Sequence, residues 1–122
     1  MKSIAIILVA LVAVFHVGVL VLEMFYWDHE IGRKVFGMTE QQSRDSAVLA
    51  MNQGLYNGFL AAGLIWGLVR SKYDVLCFFL GCVVLAGVFG AATAKPTILF
   101  TQAMPAVLAF IALYYSRDGF TS

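Results

Sequence analysis

Four long apolar runs, separated by short polar stretches, dominate the pattern of hydrophobic and polar positions in this chain. They cover about residues 4–27, 47–69, 74–94 and 97–115, each near the roughly 20 residues that a helix needs to cross a bilayer. Lys95-Pro96 ends the third run, because proline disfavours a helical conformation in the residue before it. The pattern predicts an all-α fold without β-sheet: a four-helix transmembrane bundle with antiparallel neighbours, forming a single membrane domain over residues 1–122.

The polar stretch 28–46 is predicted to be a loop that contains a short helix. Thr39-x-x-Gln42 has the pattern of a helix-capping box, and Glu40 and Arg44 have the spacing of a surface ion pair. In the fourth run Pro105 is predicted to kink the helix, since proline removes a backbone donor.

Composition supports the membrane assignment and excludes some functions. The chain is 61% hydrophobic and 12% charged, whereas soluble domains are about 45–50% apolar and about 25% charged. The lipid bilayer is therefore the expected partner. A net charge of +1 provides no basic surface for nucleic acid. Cys77 and Cys82 are five residues apart and point to different faces of a helix, which argues against a redox pair. No cofactor is expected.

Small residues at four-residue spacing predict close helix contacts, because they let two membrane helices approach each other. We expect these faces to pack against another helix of the chain, a second copy or another membrane protein. The residues are Gly54, Gly58, Gly63 and Gly67 in the second run, and Ala86, Gly90 and Ala94 in the third.

Polar side chains inside the apolar runs are the candidate functional residues, since amides and ionisable groups are costly in hydrocarbon unless they are paired. At about 1.5 Å per residue, the helices place them at two depths on the side of the 28–46 loop. The upper level holds Glu23, Asn52, Gln53 and Gln102, and the lower level holds His16, Tyr56 and Asn57. The sequence thus predicts a one-sided polar pocket for a small molecule, an ion or a proton. His16 and Glu23 are about 10 Å apart along the helix, so we expect no metal site between them.

Other interpretations of these residues remain open. The polar groups can simply hydrogen-bond one another and fix the packing of the helices. The chain can be an accessory subunit that packs through its glycine faces. It can also be a membrane enzyme with Glu23 and His16 as acid–base groups, although no nucleophile follows His16 and no metal cluster is visible, which disfavours catalysis.

The core motif Asn52-Gln53-Gly54-Leu55-Tyr56-Asn57-Gly58 is a specific pattern, and residues 22–27, 32–37, 59–64, 87–93 and 98–106 extend it over most of the sequence. In these residues the chain resembles the DUF1304 family of small bacterial membrane proteins. The resemblance implies a multi-pass protein of the bacterial inner membrane without a cleaved leader, but no reaction, because the family is a domain of unknown function. Lysine and arginine are nearly balanced between the two predicted sides of the membrane, and we expect cytoplasmic termini.

Overall fold

The computed structural model describes residues 1–122, and all of its regular secondary structure is helical. The five α-helices are α1 (Lys2–Phe25), α2 (Glu30–Phe36), α3 (Glu40–Val69), α4 (Tyr73–Thr93) and α5 (Met104–Tyr115). A π-helical segment, Leu99–Ala103, leads directly into α5, and a 3₁₀ turn, Arg117–Gly119, follows it. The all-α prediction is confirmed.

Two of the helices are long and apolar enough to cross a membrane, namely Lys2–Phe25 and Tyr73–Thr93. The helical stretch Leu99–Tyr115 is apolar but shorter, and α3 is long but carries polar residues through its first half. The structure therefore supports two membrane-length apolar helices, where the sequence predicted four.

α3 begins at Glu40, although the apolar run suggested about residue 47. The capping box explains the earlier start: the Thr39 backbone N–H donates to Gln42 Oε1 at 2.9 Å, and the Gln42 N–H donates to Thr39 Oγ1 at 3.1 Å. This reciprocal pair satisfies backbone donors that a helix start leaves without partners. Residues 40–46 of the predicted loop thus belong to α3, and α2 is the short helix predicted within it. Glu40 and Arg44 do not form the ion pair that their spacing suggested; the ion pair of this region joins Arg33 to Asp28.

The chain divides into two compact units: a large unit of residues 1–14 and 60–122, and a small unit of residues 15–59. The large unit has an apolar core that includes Val9, Leu64, Leu76, Leu80 and Leu113, all fully buried.

Consecutive helices of the large unit run antiparallel and touch at glycines. Gly63 of α3 faces the ring of Phe79, and Gly67 faces Leu76, so the contacts move backward along α4 as they move forward along α3. Further along α4, a Cβ at Gly87 would lie 2.7 Å from the backbone N of Ala103, in the π-helical segment. The predicted close packing at Gly63 and Gly67 is confirmed, with α4 as the partner.

The π-helical segment lies where Pro105 was predicted to disturb the helix. The backbone N–H of Met104 donates to the carbonyl of Leu99, five residues earlier, instead of four. Pro105 has no N–H to continue the ladder and its ring crowds the preceding turn, so a wider turn there accommodates it. A π-helical turn thus lies where the kink was predicted, and the bend of the helix itself stays a prediction.

The C-terminal residues pair with the turn between α3 and α4. The Thr121 N–H donates to Ser71 O at 2.8 Å, and the Tyr73 N–H donates to Thr121 O at 2.8 Å. Ser71 has a φ of 51°, in the left-handed region that side chains rarely adopt. The two bonds tie this turn to the end of the chain.

The small unit is a helical hairpin, in which the second half of α1 runs antiparallel to the first half of α3, with α2 between them in sequence. A Cβ at Gly54 would lie 2.6 Å from Met24 Cγ, and one at Gly58 would lie 2.5 Å from Leu20 Cδ1. The predicted glycine face of α3 therefore packs against α1, which confirms it as a contact within the chain.

The row Ala86, Gly90 and Ala94 is only partly packed. Gly90 lies next to Ile98, at 3.3 Å from a built Cβ, whereas Ala86 and Ala94 are exposed. The sequence shows several glycines in α4 but not which of them meets a neighbour, and the tightly packed one is Gly87. A partner for the exposed alanines stays a prediction.

Candidate functional site

A carboxylate–amide pair joins the two long helices of the small unit. Asn57 Nδ2 of α3 donates to Glu23 Oε1 of α1 at 2.6 Å and also to the Gln53 backbone O at 3.1 Å. Both residues are partly buried. Because both Nδ2 hydrogens point at acceptors, the network fixes which side of the Asn57 amide faces the carboxylate.

The atoms that this pair leaves without protein partners are acceptors. Glu23 Oε1 accepts from Asn57, and Glu23 forms no other hydrogen bond and no ion pair within the chain. A carboxylate can accept about four hydrogen bonds, and Asn57 Oδ1 keeps its own lone pairs. When Glu23 is ionised, the pair can therefore receive further hydrogen bonds from a donor but has no donor left to offer.

Glycines bring the two helices close enough for this hydrogen bond. Gly54 lies one turn before Asn57 on α3, and a Cβ there would be 3.1 Å from Glu23 Cβ and 3.2 Å from the Leu20 carbonyl. Side chains at this position would push α1 away, and the carboxylate would lose contact with the amide. The glycines of the core motif thus allow the close contact between α1 and α3 in which Asn57 can donate to Glu23.

The predicted depth levels separated Glu23 from Asn57, and for this pair they were wrong. They grouped Glu23 with Asn52 and Gln53, yet the hydrogen bond joins it to Asn57. Depths were counted on the assumption that the loop-side ends of the two helices lie at one level. They do not, because α1 ends at Phe25, two residues after Glu23, whereas α3 begins at Glu40, seventeen residues before Asn57. Distance from a helix end therefore does not give the register between these helices.

The other predicted residues of α3 have exposed side chains. Asn52 Nδ2 donates to the Val48 carbonyl of its own helix at 2.9 Å, and Gln53 contributes its backbone oxygen to the Asn57 amide. Tyr56 is 52% exposed, and its ring lies 6.2 Å from that of Phe59. Their part in a binding site stays a prediction.

His16 is completely buried, and its ring meets the Phe15 ring edge to face at a centroid distance of 5.4 Å. Gln102 lies in the π-helical segment of the large unit, whereas Glu23 and Asn57 belong to the small unit. The structure joins the predicted side chains of Glu23 and Asn57 directly. For His16 and Gln102 membership of one pocket stays a prediction.

A second polar cluster, which the sequence did not predict, lies at the loop end of the same hairpin. Asp28 Oδ1 accepts from the buried Ser43 hydroxyl at 2.7 Å and from Arg33 Nη1 at 3.1 Å. The Ser43 hydroxyl and, less strongly, the charges of Arg33 and Arg44 hold the pKa of Asp28 below its usual range. Trp27 Nε1 donates to Ser46 Oγ at 2.9 Å, which fixes the end of α1 to α3 in a similar way. We refer to these residues as the loop-end cluster.

Gly32 of α2 packs against the backbone at the end of α1. A Cβ at this position would lie 2.1 Å from the Tyr26 carbonyl and 2.6 Å from the Trp27 carbonyl. Gly37 ends α2 in the left-handed conformation, with φ 64°. The backbone therefore favours glycine at both positions: at Gly32 because another backbone segment approaches closely, and at Gly37 because the helix ends in the left-handed conformation.

Two apolar cavities of about 390 and 290 Å³ lie in the large unit, between α4 and the stretch that contains the π-helical segment and α5. Val84, Val88 and Val107 line both of them. Their walls carry almost no polar surface, so they are not sites of acid–base chemistry.

These observations define the class of protein: an all-helical chain with membrane-length apolar helices and a partly buried carboxylate–amide pair. The chain belongs to the DUF1304 family, described as proteins of unknown function, which it matches over residues 10–114. It is similar to the uncharacterized protein YpaA of Lactococcus lactis subsp. lactis (strain IL1403), with 31% identity over 119 residues, 94% of this chain and 100% of that protein. No solved structure matches the chain.

Proposed function

We propose that this chain is a multi-pass membrane protein, a four-helix bundle of the bacterial inner membrane, that binds or transports a small molecule, an ion or a proton at Glu23 and Asn57. The observation that carries the proposal is the hydrogen bond of 2.6 Å between these two side chains. Burying a carboxylate within a membrane-length apolar helix costs free energy unless its oxygens have hydrogen-bond or charged partners. Such a residue is therefore a candidate for a functional role. Glu23 has a single partner in the chain.

The apolar surface of the long helices supports the membrane setting. In α1 and α4 only 28% and 22% of the most apolar stretch is buried within the chain. The core helix of a water-soluble protein buries its apolar face, whereas a helix in a bilayer exposes it to lipid. Leu85 and Phe89 of α4 are 71% and 69% exposed, which fits lipid contact.

Chemical labelling tests the proposed position of Glu23. Dicyclohexylcarbodiimide dissolves in lipid and adds to a protonated carboxyl group, whereas a charged carbodiimide reacts from water. With the protein in lipid nanodiscs and peptide mass spectrometry, Glu23 is expected to react preferentially with the lipid-soluble reagent. Glu40, exposed at the start of α3, is expected to show the opposite preference.

The variant Glu23→Gln provides the control for this assignment, because it keeps the size of the side chain and removes the reactive group. It should lose the labelled peptide of α1 and keep that of α3. Preference of Glu23 for the charged reagent, as expected for Glu40, would show that both carboxylates face water, and the proposal of an intramembrane site would then be wrong.

A further inference from the structure

We infer that the ligand of the Glu23–Asn57 pair is an organic ammonium ion, which donates its N–H groups to the two side chains. This inference rests on the proposed function, since it names the chemical class of the ligand at that site. Three features of the small unit support it. The free atoms of the pair are hydrogen-bond acceptors, Glu23 has no positively charged partner in the chain, and the pair offers few oxygen atoms to a ligand.

The Glu23–Asn57 pair favours ligands that donate hydrogen bonds. Asn57 uses both of its N–H groups on Glu23 and Gln53, so a ligand meets only carboxylate and carbonyl-type oxygens. A ligand that carries its own acceptor there, such as a carboxylate or a phosphate, would face repulsion and unsatisfied lone pairs. The chemistry of the pair therefore excludes anions and favours N–H donors.

The ionised form of Glu23 lacks a positive partner within the chain. The small unit forms its ion pair at the loop-end cluster, between Arg33 and Asp28, and Glu23 forms none. A buried or lipid-covered charge is strongly disfavoured unless an opposite charge pairs with it. A cationic ligand supplies that charge and the hydrogen bonds together.

An ammonium ion fits the oxygens better than a metal ion does. No group of three or more His, Cys, Asp or Glu side chains lies together in the chain. Magnesium and calcium take about six to eight oxygen ligands, which one carboxylate and one amide cannot supply. An ammonium group with up to three N–H donors matches two or three acceptors.

The surroundings of the pair suit a hydrocarbon body on the ligand. Leu20 and Met24 of α1, which lie one turn before Glu23 and directly after it, are partly buried against Gly58 and Gly54 of α3. The ligand class is therefore an amphiphilic ammonium, with a compact charged head and an apolar body.

Binding of matched probes to the full-length protein in nanodiscs tests this inference. The probes are 1-adamantylammonium, its trimethylated quaternary analogue and neutral 1-adamantanol, which share one apolar body; sodium ion alone is the fourth. By titration calorimetry, adamantylammonium is expected to bind at least about tenfold more tightly than adamantanol, a difference of about 1.4 kcal/mol. The quaternary analogue should bind more weakly than the primary ammonium, because it cannot donate.

Two variants assign the binding to the pair. Glu23→Gln should weaken adamantylammonium binding at least about tenfold and leave adamantanol binding unchanged, whereas Glu40→Gln should change neither. Adamantylammonium should also protect Glu23 from dicyclohexylcarbodiimide. Equal affinity for ammonium and alcohol, an unchanged affinity in Glu23→Gln, or binding by sodium alone would overturn the inference.

These outcomes separate the inference from the proposed function. Preferential labelling of Glu23 by the lipid-soluble reagent, without protection by the ammonium, would keep the intramembrane site and reject its ligand class. Loss of that labelling preference would reject the site itself.

Discussion

The fold stabilises the negative charge of Asp28, the carboxylate of the loop-end cluster. The Ser43 hydroxyl contributes most and Arg33 less. Because the pKa of Asp28 is lower in the folded than in the unfolded chain, its contribution to stability is complete above the unfolded pKa of about 3.9. The contribution is lost as the pH falls through the folded pKa. Asp28→Asn should therefore be less stable than the natural protein near neutral pH.

The difference in thermal unfolding midpoint between the two proteins should shrink as the pH is lowered below about 4. Unfolding in detergent at a series of pH values measures it. Asp118→Asn is a suitable control, because Asp118 is exposed in the 3₁₀ turn and does not belong to the loop-end cluster; near neutral pH it should change the midpoint less than Asp28→Asn does. A gap for Asp28→Asn that stays constant down to the lowest pH would contradict the assignment.

Gly32→Ala should destabilise the small unit, because the added carbon would overlap two backbone carbonyls that cannot rotate away. Overpacking of this kind costs about 1–3 kcal/mol. Gly18→Ala is the matched control: nothing lies within 4 Å of a Cβ at Gly18 of α1, so alanine there should gain up to about 1 kcal/mol of helix propensity. Equal midpoints for both variants would show that α2 does not pack against the end of α1.

Among the helices, α4 offers a similar comparison within a single element. Gly87→Ala would place a carbon 2.7 Å from the backbone of the π-helical segment, whereas Gly81→Ala meets nothing within 4 Å. We expect Gly87→Ala to lower the unfolding midpoint in detergent and Gly81→Ala to leave it unchanged or raise it. The reverse order would mean that α4 and the π-helical segment are further apart than the structure has them.

For the molecule as a whole, four membrane spans and two membrane spans place the connections between the helices on different sides of the membrane. Glu30, Arg70 and Lys95 are exposed and lie in or beside the connections between the long helices. Four spans place Glu30 and Lys95 on one side and Arg70 on the other. If only α1 and α4 cross the membrane, Glu30 and Arg70 share a side and Lys95 lies opposite.

Single cysteines at these three positions, in a Cys77→Ala, Cys82→Ala background, distinguish the two arrangements. With cytoplasmic termini, a membrane-impermeant maleimide added to spheroplasts should label Glu30→Cys and Lys95→Cys but not Arg70→Cys. Labelling of Glu30→Cys and Arg70→Cys without Lys95→Cys would establish two spans.

The sequence predicted the helices better than the contacts between them. The ends of α1 and α4 lie within about two residues of the ends of their apolar runs. A helix satisfies the backbone hydrogen bonds of a long apolar segment within the segment itself, so such a run predicts a helix well. The start of α3 was missed because polar residues 40–46 are compatible with both loop and helix, although Thr39 and Gln42 carried the signal of a cap. Glu23 and Asn57 were singled out as polar residues in apolar runs, but their pairing depends on helix register, which spacing along one helix does not determine.

The two tryptophans fall one in each unit, and this gives each unit its own fluorophore. Trp27 of the small unit donates to Ser46 and stacks near Phe36, at a ring distance of 4.7 Å, while Trp66 of the large unit is 58% exposed. In Trp66→Phe the emission reports only the small unit, and in Trp27→Phe only the large one. Because α1 and α3 each contribute residues to both units, we expect the two emission signals to change at one denaturant concentration; separate midpoints would show that the chain melts in two steps.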